Sequence, residues 1–308
     1  MNLLLALTLY NDYLLKLITK HNTISLLSMF MLYYCIMDET IVVNKFDLNS
    51  MVKNPTILLN AKRGSGKSVC IKHLLWYFGN VLHYPAGILC SKSESVDPFY
   101  QDFFPDSFIY DSCSDELFTK ILRRQSKLIE NNKKCIMNGE QTKDSRLIIV
   151  LDDVISDAKS WKNSEALGEI MFNGRHYDIT FILAVQDVVA VGPAIRLNFD
   201  YVFLFKNDVK NEIDKIYKYY AGVFPNTKVF NEVLQRTTED YGILVLIKRG
   251  EKSNALNDKI ARFKANVNLK PSMFGCNKFK ELHKRRYDTS WKEKQINNYG
   301  CKNKIKIL

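Results

Sequence analysis

The segment Thr56-Ile57-Leu58-Leu59-Asn60-Ala61-Lys62-Arg63-Gly64-Ser65-Gly66-Lys67-Ser68 constrains the fold more than any other stretch of the chain. The apolar run before the glycines predicts a strand over Thr56 to Asn60. Val69, Ile71, Leu74, Leu75 and Phe78 then recur at helical spacing and predict a helix over Ser68 to Phe78. The connecting loop fits the phosphate-binding pattern G-x-x-x-x-G-K-[ST], with Ala61 standing where the pattern has its first glycine. Strand, loop and helix are the order its mechanism needs. Small residues let consecutive main-chain N–H groups face a phosphate, and the helix N-terminus adds positive potential. Ala61, Lys62, Arg63, Gly64, Ser65, Gly66, Lys67 and Ser68 are therefore the candidate nucleotide cradle, with Lys67 as the cation for the β and γ oxygens and Ser68 as a Mg²⁺ ligand.

A lone strand-loop-helix unit needs a sheet to sit in. Further apolar runs at Ala86 to Cys90, Ser107 to Tyr110, Leu147 to Leu151, Ile179 to Val185, Tyr201 to Phe205 and Gly242 to Ile247 read as strands, with helix-length segments at Ser114 to Asn131 and Ser164 to Arg175. The uninterrupted runs LIIVL and ITFILAV suit strands buried on both faces. The fold class expected is α/β, a mostly parallel sheet with helices on both faces, and no internal repeat is visible. Disordered and fibrous classes are excluded, because 46% of the residues are hydrophobic while glycine numbers 13 and proline 7.

A nucleotide cradle that works with Mg²⁺ also needs a carboxylate at the end of a neighbouring buried strand. Leu147 to Leu151 runs into Asp152-Asp153. Asp152 is the candidate for orienting the metal, with Ser68, and Asp153 for polarising the attacking water. An acid directly after the metal carboxylate favours hydrolysis over transfer to a held acceptor, although Asp is one methylene shorter than the Glu common at this place. The run Ile179 to Val185 ends in Gln186, which parallel pairing would bring to the same edge as a γ-phosphate sensor. Positive charge for the developing γ-phosphate is expected from a neighbouring subunit, with Arg175 the first candidate for that finger and Arg196 the second.

The flanks differ in character. Residues 1–36 are apolar but interrupted by Asn11, Asp12, Lys16, Lys20, His21 and Asn22, and the longest clean run, Ile24 to Met37, has 14 residues against the ~20 a membrane span needs. No basic start or small-residue cleavage site marks a signal peptide. Two readings of this stretch stand side by side: translation starting at Met37, or an N-terminal helix docking on a membrane or partner. The chain carries 44 Lys and Arg against 33 Asp and Glu, a net +11, and the excess collects after about Val267. Residues 270–308 hold 11 basic and 3 acidic residues interleaved with Tyr287, Trp291 and Tyr299, a composition suited to gripping a phosphate backbone and equally to a solvated terminus. Seven scattered cysteines without a C-x-x-C pair indicate neither disulfides nor a zinc site, so no structural metal is expected.

TILLNAKRGSGKS, LIIVLDDV, FNGRHYDITFILAVQD and GPAIRLNFDYVFLFK occur in that order across roughly residues 45 to 265. Together they resemble the poxvirus-type virion-packaging ATPases of large nucleocytoplasmic DNA viruses, a branch of the HerA/FtsK superfamily. The resemblance implies a RecA-like P-loop core, a homo-oligomeric ring, ATP with Mg²⁺, and translocation of double-stranded DNA into a capsid. It also implies Gln186 as sensor and Arg175 as finger, with work in the host cytoplasm or the virion beside capsid or membrane-associated proteins. The domain reading that follows is an extension over 1–44, an ATPase domain over 45–267 and a basic tail over 268–308. Two other functions remain open on the residues alone: a replication or recombination translocase on the same fold, and a nucleotide-gated DNA-binding scaffold.

Overall fold

The computed structural model describes residues 40–94, 97–152, 154, 164–249, 253, 255–288 and 290. The chain divides into two compact units, Met1–Val42 and Val43–Leu308, and the fold described here is that of the second. Among the described residues, nine strands form one sheet: β1 (Asn44–Lys45), β2 (Thr56–Asn60), β3 (Ala86–Ser91), β4 (Ile109–Tyr110), β5 (Leu147–Asp152), β6 (Ile179–Val185), β7 (Tyr201–Leu204), β8 (Gly242–Ile247) and β9 (Ile260–Lys264). Their spatial order is β1-β9-β8-β7-β2-β6-β5-β3-β4. From β4 across to β7 every pairing is parallel, and the register sets Leu58 beside Leu183 and Leu151 beside Leu183 on the other side. β8 runs antiparallel to both β7 and β9.

The apolar runs predict this sheet well because they are its centre. Every residue of β2, β5 and β6 is buried, as expected for strands covered on both faces. The flanking helices include α1 (Lys67–Trp76), which continues into a wide turn at Tyr77–Val81, α2 (Asp115–Met137), α3 (Glu165–Asn173), α4 (Lys210–Tyr220), α5 (Thr227–Thr237) and α6 (Asn277–Arg286). Their starts are fixed locally. Ser114 and Ser164 cap α2 and α3 by accepting from the N–H groups of Leu117 and Leu167 at 3.2 and 2.9 Å, and Asn226 caps α5 through Val229 at 2.9 Å.

The differences from expectation lie at the sheet's margins. Only Ile109–Tyr110 of the run Ser107 to Tyr110 pairs, because Asp106–Phe108 closes a tight turn after Pro105, with the Phe108 N–H on the Pro105 carbonyl at 2.9 Å. β9 was not expected, since Arg262 and Lys264 make its sequence read as polar. β1 is too short to leave any pattern. Beyond residue 267 the described chain packs on the core: Phe274 and Phe279 are buried, Phe274 stacks on Phe104 at 5.1 Å, and Phe279 stacks on Phe108 at 4.0 Å. No described helix is long and apolar enough to cross a membrane.

Candidate active site

Because β2, β3, β5 and β6 are parallel, their carboxyl ends share one rim, where open α/β sheets bind ligands. The loop 61–66 leaves β2 at this rim and ends at the N-terminus of α1. Gly64 and Gly66 adopt left-handed φ of 76° and 92°, the conformation that glycine tolerates and other residues resist. Ala61 is not among the left-handed residues. It is 2% exposed and extends the β2–β6 ladder, its N–H reaching the Val185 carbonyl at 3.0 Å. Alanine in place of the pattern's first glycine therefore carries no backbone strain. Ser65 braces the loop from within, its hydroxyl donating to the Lys62 carbonyl at 2.7 Å.

Lys67, the first residue of α1, is 7% exposed, and its Nζ lies 2.9 Å from Oδ1 of Asp152, itself 3% exposed at the end of β5. The cation and the carboxylate singled out in the sequence are thus brought together. The other carboxylate oxygen of Asp152 accepts from the Tyr100 hydroxyl at 2.7 Å. Tyr100 is 1% exposed; burial first, and then the Asp152 charge, push its pKa well above the ordinary tyrosine value, so the hydroxyl stays a donor. Ser68, beside the same hydroxyl, opposes that rise.

Glu94, in the turn after β3, holds Tyr100 in place. Its Oε1 accepts from the N–H groups of Phe99 and Tyr100 at 2.9 and 2.7 Å. Burial raises the Glu94 pKa above the ordinary value, with those N–H groups opposing the shift. From α1, the Lys72 ammonium lies 3.7 Å from the Phe99 ring centroid and 4.7 Å from that of Phe103, pinning the same segment. Neither Glu94 nor Tyr100 was singled out in the sequence. Tyr100 reaches Asp152 because the pairing of β3 with β5 carries the segment after β3 beside it, a contact with no sequence spacing of its own, and Glu94 acts through Tyr100.

Gln186, exposed at the end of β6, lines a cleft of about 530 Å³ together with Lys62, Lys67, Ser68, Ser93 and Phe99. Its backbone carbonyl accepts from the Asn60 side chain at 3.2 Å. Asp153 lies outside the described residues.

The two arginines are elsewhere. Arg175 stands before β6, at the rim opposite the loop, where its guanidinium meets Asp200 at 3.3 Å. Asp200 is 2% exposed and also accepts from the Thr56 N–H at 2.8 Å and from Arg249 at 3.4 Å. Arg196 is 8% exposed. It donates to the Val191 carbonyl at 2.6 Å and lies over the Tyr219 ring at 4.1 Å, which fixes it inside its own chain. Neither arginine reaches the cradle of its own chain. Among the described residues no group of three or more His, Cys, Asp or Glu side chains is arranged to hold a metal.

The model of the family described as "Poxvirus A32 protein" matches residues 43–248. A protein of Acanthamoeba polyphaga mimivirus, "Uncharacterized protein L437", is 36% identical over 247 residues, covering 80% of this chain and 84% of that protein. "Uncharacterized protein 075L" of Invertebrate iridescent virus 6 is 28% identical over 255 residues, 82% of this chain and 94% of that protein. Among solved structures, the genome packaging NTPase B204 from Sulfolobus turreted icosahedral virus 2 aligns with a TM-score of 0.49 and 20% identity, over 70% of this chain and 98% of that one. With the family model spanning the strand-loop-helix unit, the carboxylate strand and the Gln-terminated strand, the chain belongs to the Poxvirus A32 protein family.

Proposed function

We propose that this chain is an ATP-hydrolysing motor that translocates double-stranded DNA, packaging a viral genome into the virion. Residues 45–267 would form the motor domain, 1–44 an extension, and 268–308 a basic tail that grips DNA. The observation that carries the reading is the buried ion pair between Lys67 and Asp152 at the mouth of a left-handed glycine loop. A buried lysine and aspartate held together at the N-terminus of α1 form a site whose charges a ligand could re-pair. A triphosphate would draw Lys67 onto its β and γ oxygens and release one oxygen of Asp152. Ser68 and Asp152 offer the hard oxygen donors that Mg²⁺ takes, and the position now filled by the lysine cation in front of Asp152 suits a divalent one. When bound, that ion would neutralise charge developing on the phosphates.

Asp153 follows directly and is assigned to the attacking water, with Gln186 at the cleft as the reporter of the γ-phosphate. A finger from Arg175 would act on a neighbour's nucleotide in a homo-oligomeric ring, exchanging Asp200 for phosphate. Contacts to DNA would be mainly to phosphates, hence indifferent to sequence and weakened by salt. Such a motor would work in the host cytoplasm or the virion, against capsid or membrane-associated proteins. The test is ATP hydrolysis by the purified chain with and without duplex DNA. Turnover should rise with duplex and disappear in Lys67→Ala, without strand unwinding. Robust hydrolysis by Lys67→Ala would end the site assignment, and unwinding would favour a helicase.

A further inference from the structure

The flank of the glycine loop facing away from Asp152 carries a second cleft, of about 520 Å³, whose walls are Lys62 to Ser65 on one side and Lys206, Asp208 and residues 238–242 on the other. Tyr241 stands at its edge, 73% exposed. Its ring lies within 4 Å of a methyl placed on Gly66, meeting it through Cδ1 at 3.8 Å. This tyrosine is at the same rim as the loop for a topological reason. β8 runs antiparallel to β7, so the residue before it lies where the parallel strands end.

The backbone that presents the ring is strained. Asp240 and Tyr241 both adopt left-handed φ, 52° and 56°, in consecutive residues that are not glycine. Such strain persists only where surroundings impose it. Here Arg262 on β9 donates to the carbonyls of Thr237 at 3.0 Å and Glu239 at 2.9 Å, and Lys264 pairs with the Asp240 carboxylate. Gly242 completes the clamp, because a Cβ there would fall 2.1 Å from the Thr237 carbonyl oxygen. Three contacts from β9 and a required glycine thus hold an aromatic face out in solvent beside an anion-binding loop, against the ordinary tendency to bury it.

We propose that Tyr241 is the stacking platform for the nucleobase of the bound nucleotide. This rests on the reading of residues 61–68 as a triphosphate cradle, and it assigns the direction in which the nucleotide lies. The phosphates run from the Tyr241 flank across Gly66 toward Lys67 and Asp152, so that the γ end meets the carboxylate and the base meets the ring. Asp152 on β5 and Tyr241 before β8 lie on opposite sides of β2, with β6 and β7 intervening. A ligand charged at one end and aromatic at the other fits that separation, whereas phosphate alone has no use for the tyrosine. Because stacking engages the face of any base, the platform favours purines by area and discriminates little between adenine and guanine.

The test compares two ligands on the full chain by calorimetry: a non-hydrolysable ATP analogue and inorganic tripolyphosphate, each with Mg²⁺. Tyr241→Ala should weaken the analogue about tenfold and leave tripolyphosphate within about twofold, while Tyr241→Phe should bind both as the wild type does. Tyr241→Leu, which keeps bulk without a π face, should repeat the Ala result and serves if Ala unfolds. Unchanged analogue binding in Tyr241→Ala, or equal loss of both ligands, would overturn the proposal. Lys67→Ala separates the two readings: it should weaken both ligands, and if it weakens neither, the cradle itself is wrong whatever Tyr241 does.

Discussion

Lys67, Asp152, Tyr100 and Glu94 form a chain of contacts in which each residue has a partner that water would otherwise supply. Removing the Tyr100 hydroxyl strips Asp152 of a charge-assisted hydrogen bond at 2.7 Å, so Tyr100→Phe should lose about 1.5–3 kcal/mol of stability, read by urea denaturation. Glu94 gives a pH signature. A carboxyl whose folded pKa lies above its unfolded value withdraws stability as pH rises through the folded pKa. Wild type and Glu94→Gln should therefore melt together at acid pH, with the variant gaining as pH rises through the raised Glu94 value. A difference that grows on acidification instead would contradict this. At this scale Lys67 and Asp152 were legible because a fixed pattern and a strand end mark them. Tyr100, Glu94 and Tyr241 were not, since one depends on cross-strand register, one on a turn of ordinary composition, and one on a clamp from the unexpected β9.

Among the elements, the central strands were readable and the edges were not, for one physical reason. A strand buried on both faces must be apolar throughout, as β5 and β6 are, while β9, near the margin between β8 and the two-residue β1, keeps Arg262 and Lys264 for its neighbours. Tight element packing yields a direct prediction at β3. A Cβ on Gly87 would sit 2.6 Å from Ile148 Cγ2 and 2.9 Å from Phe104 Cζ, so Gly87→Ala should destabilise by about 1–3 kcal/mol through overpacking. At the opposite rim, Asp200 ties β7 to the start of β2 through the Thr56 N–H, and to Arg175 and Arg249. Asp200→Ala should lower stability by about 2–4 kcal/mol in denaturant titration, because a buried acceptor of several donors is lost. Arg175 was drawn toward the nucleotide by its place before the Gln186 strand, yet position before a parallel strand puts a residue at the far rim. Any part it takes in hydrolysis must be played on another subunit.

At the scale of the whole fold, the segment that carries Tyr100 toward Asp152 is supported by residues distant in sequence. Phe274 and Phe279 pack on Phe104 and Phe108, in the same stretch that carries Tyr100 toward Asp152. A chain ending at residue 267 should consequently melt lower than the full chain and hydrolyse ATP more slowly; equal melting would mean these aromatic contacts contribute nothing. A crystal structure with Mg²⁺ and a non-hydrolysable ATP analogue would show whether a triphosphate takes over the cation and the carboxylate now paired with each other. The β-phosphate should lie against the main-chain N–H groups of Gly64 to Lys67, with the Lys67 ammonium moved from Asp152 onto phosphate oxygen. A nucleotide bound elsewhere, with the 2.9 Å pair between Lys67 and Asp152 intact, would contradict it.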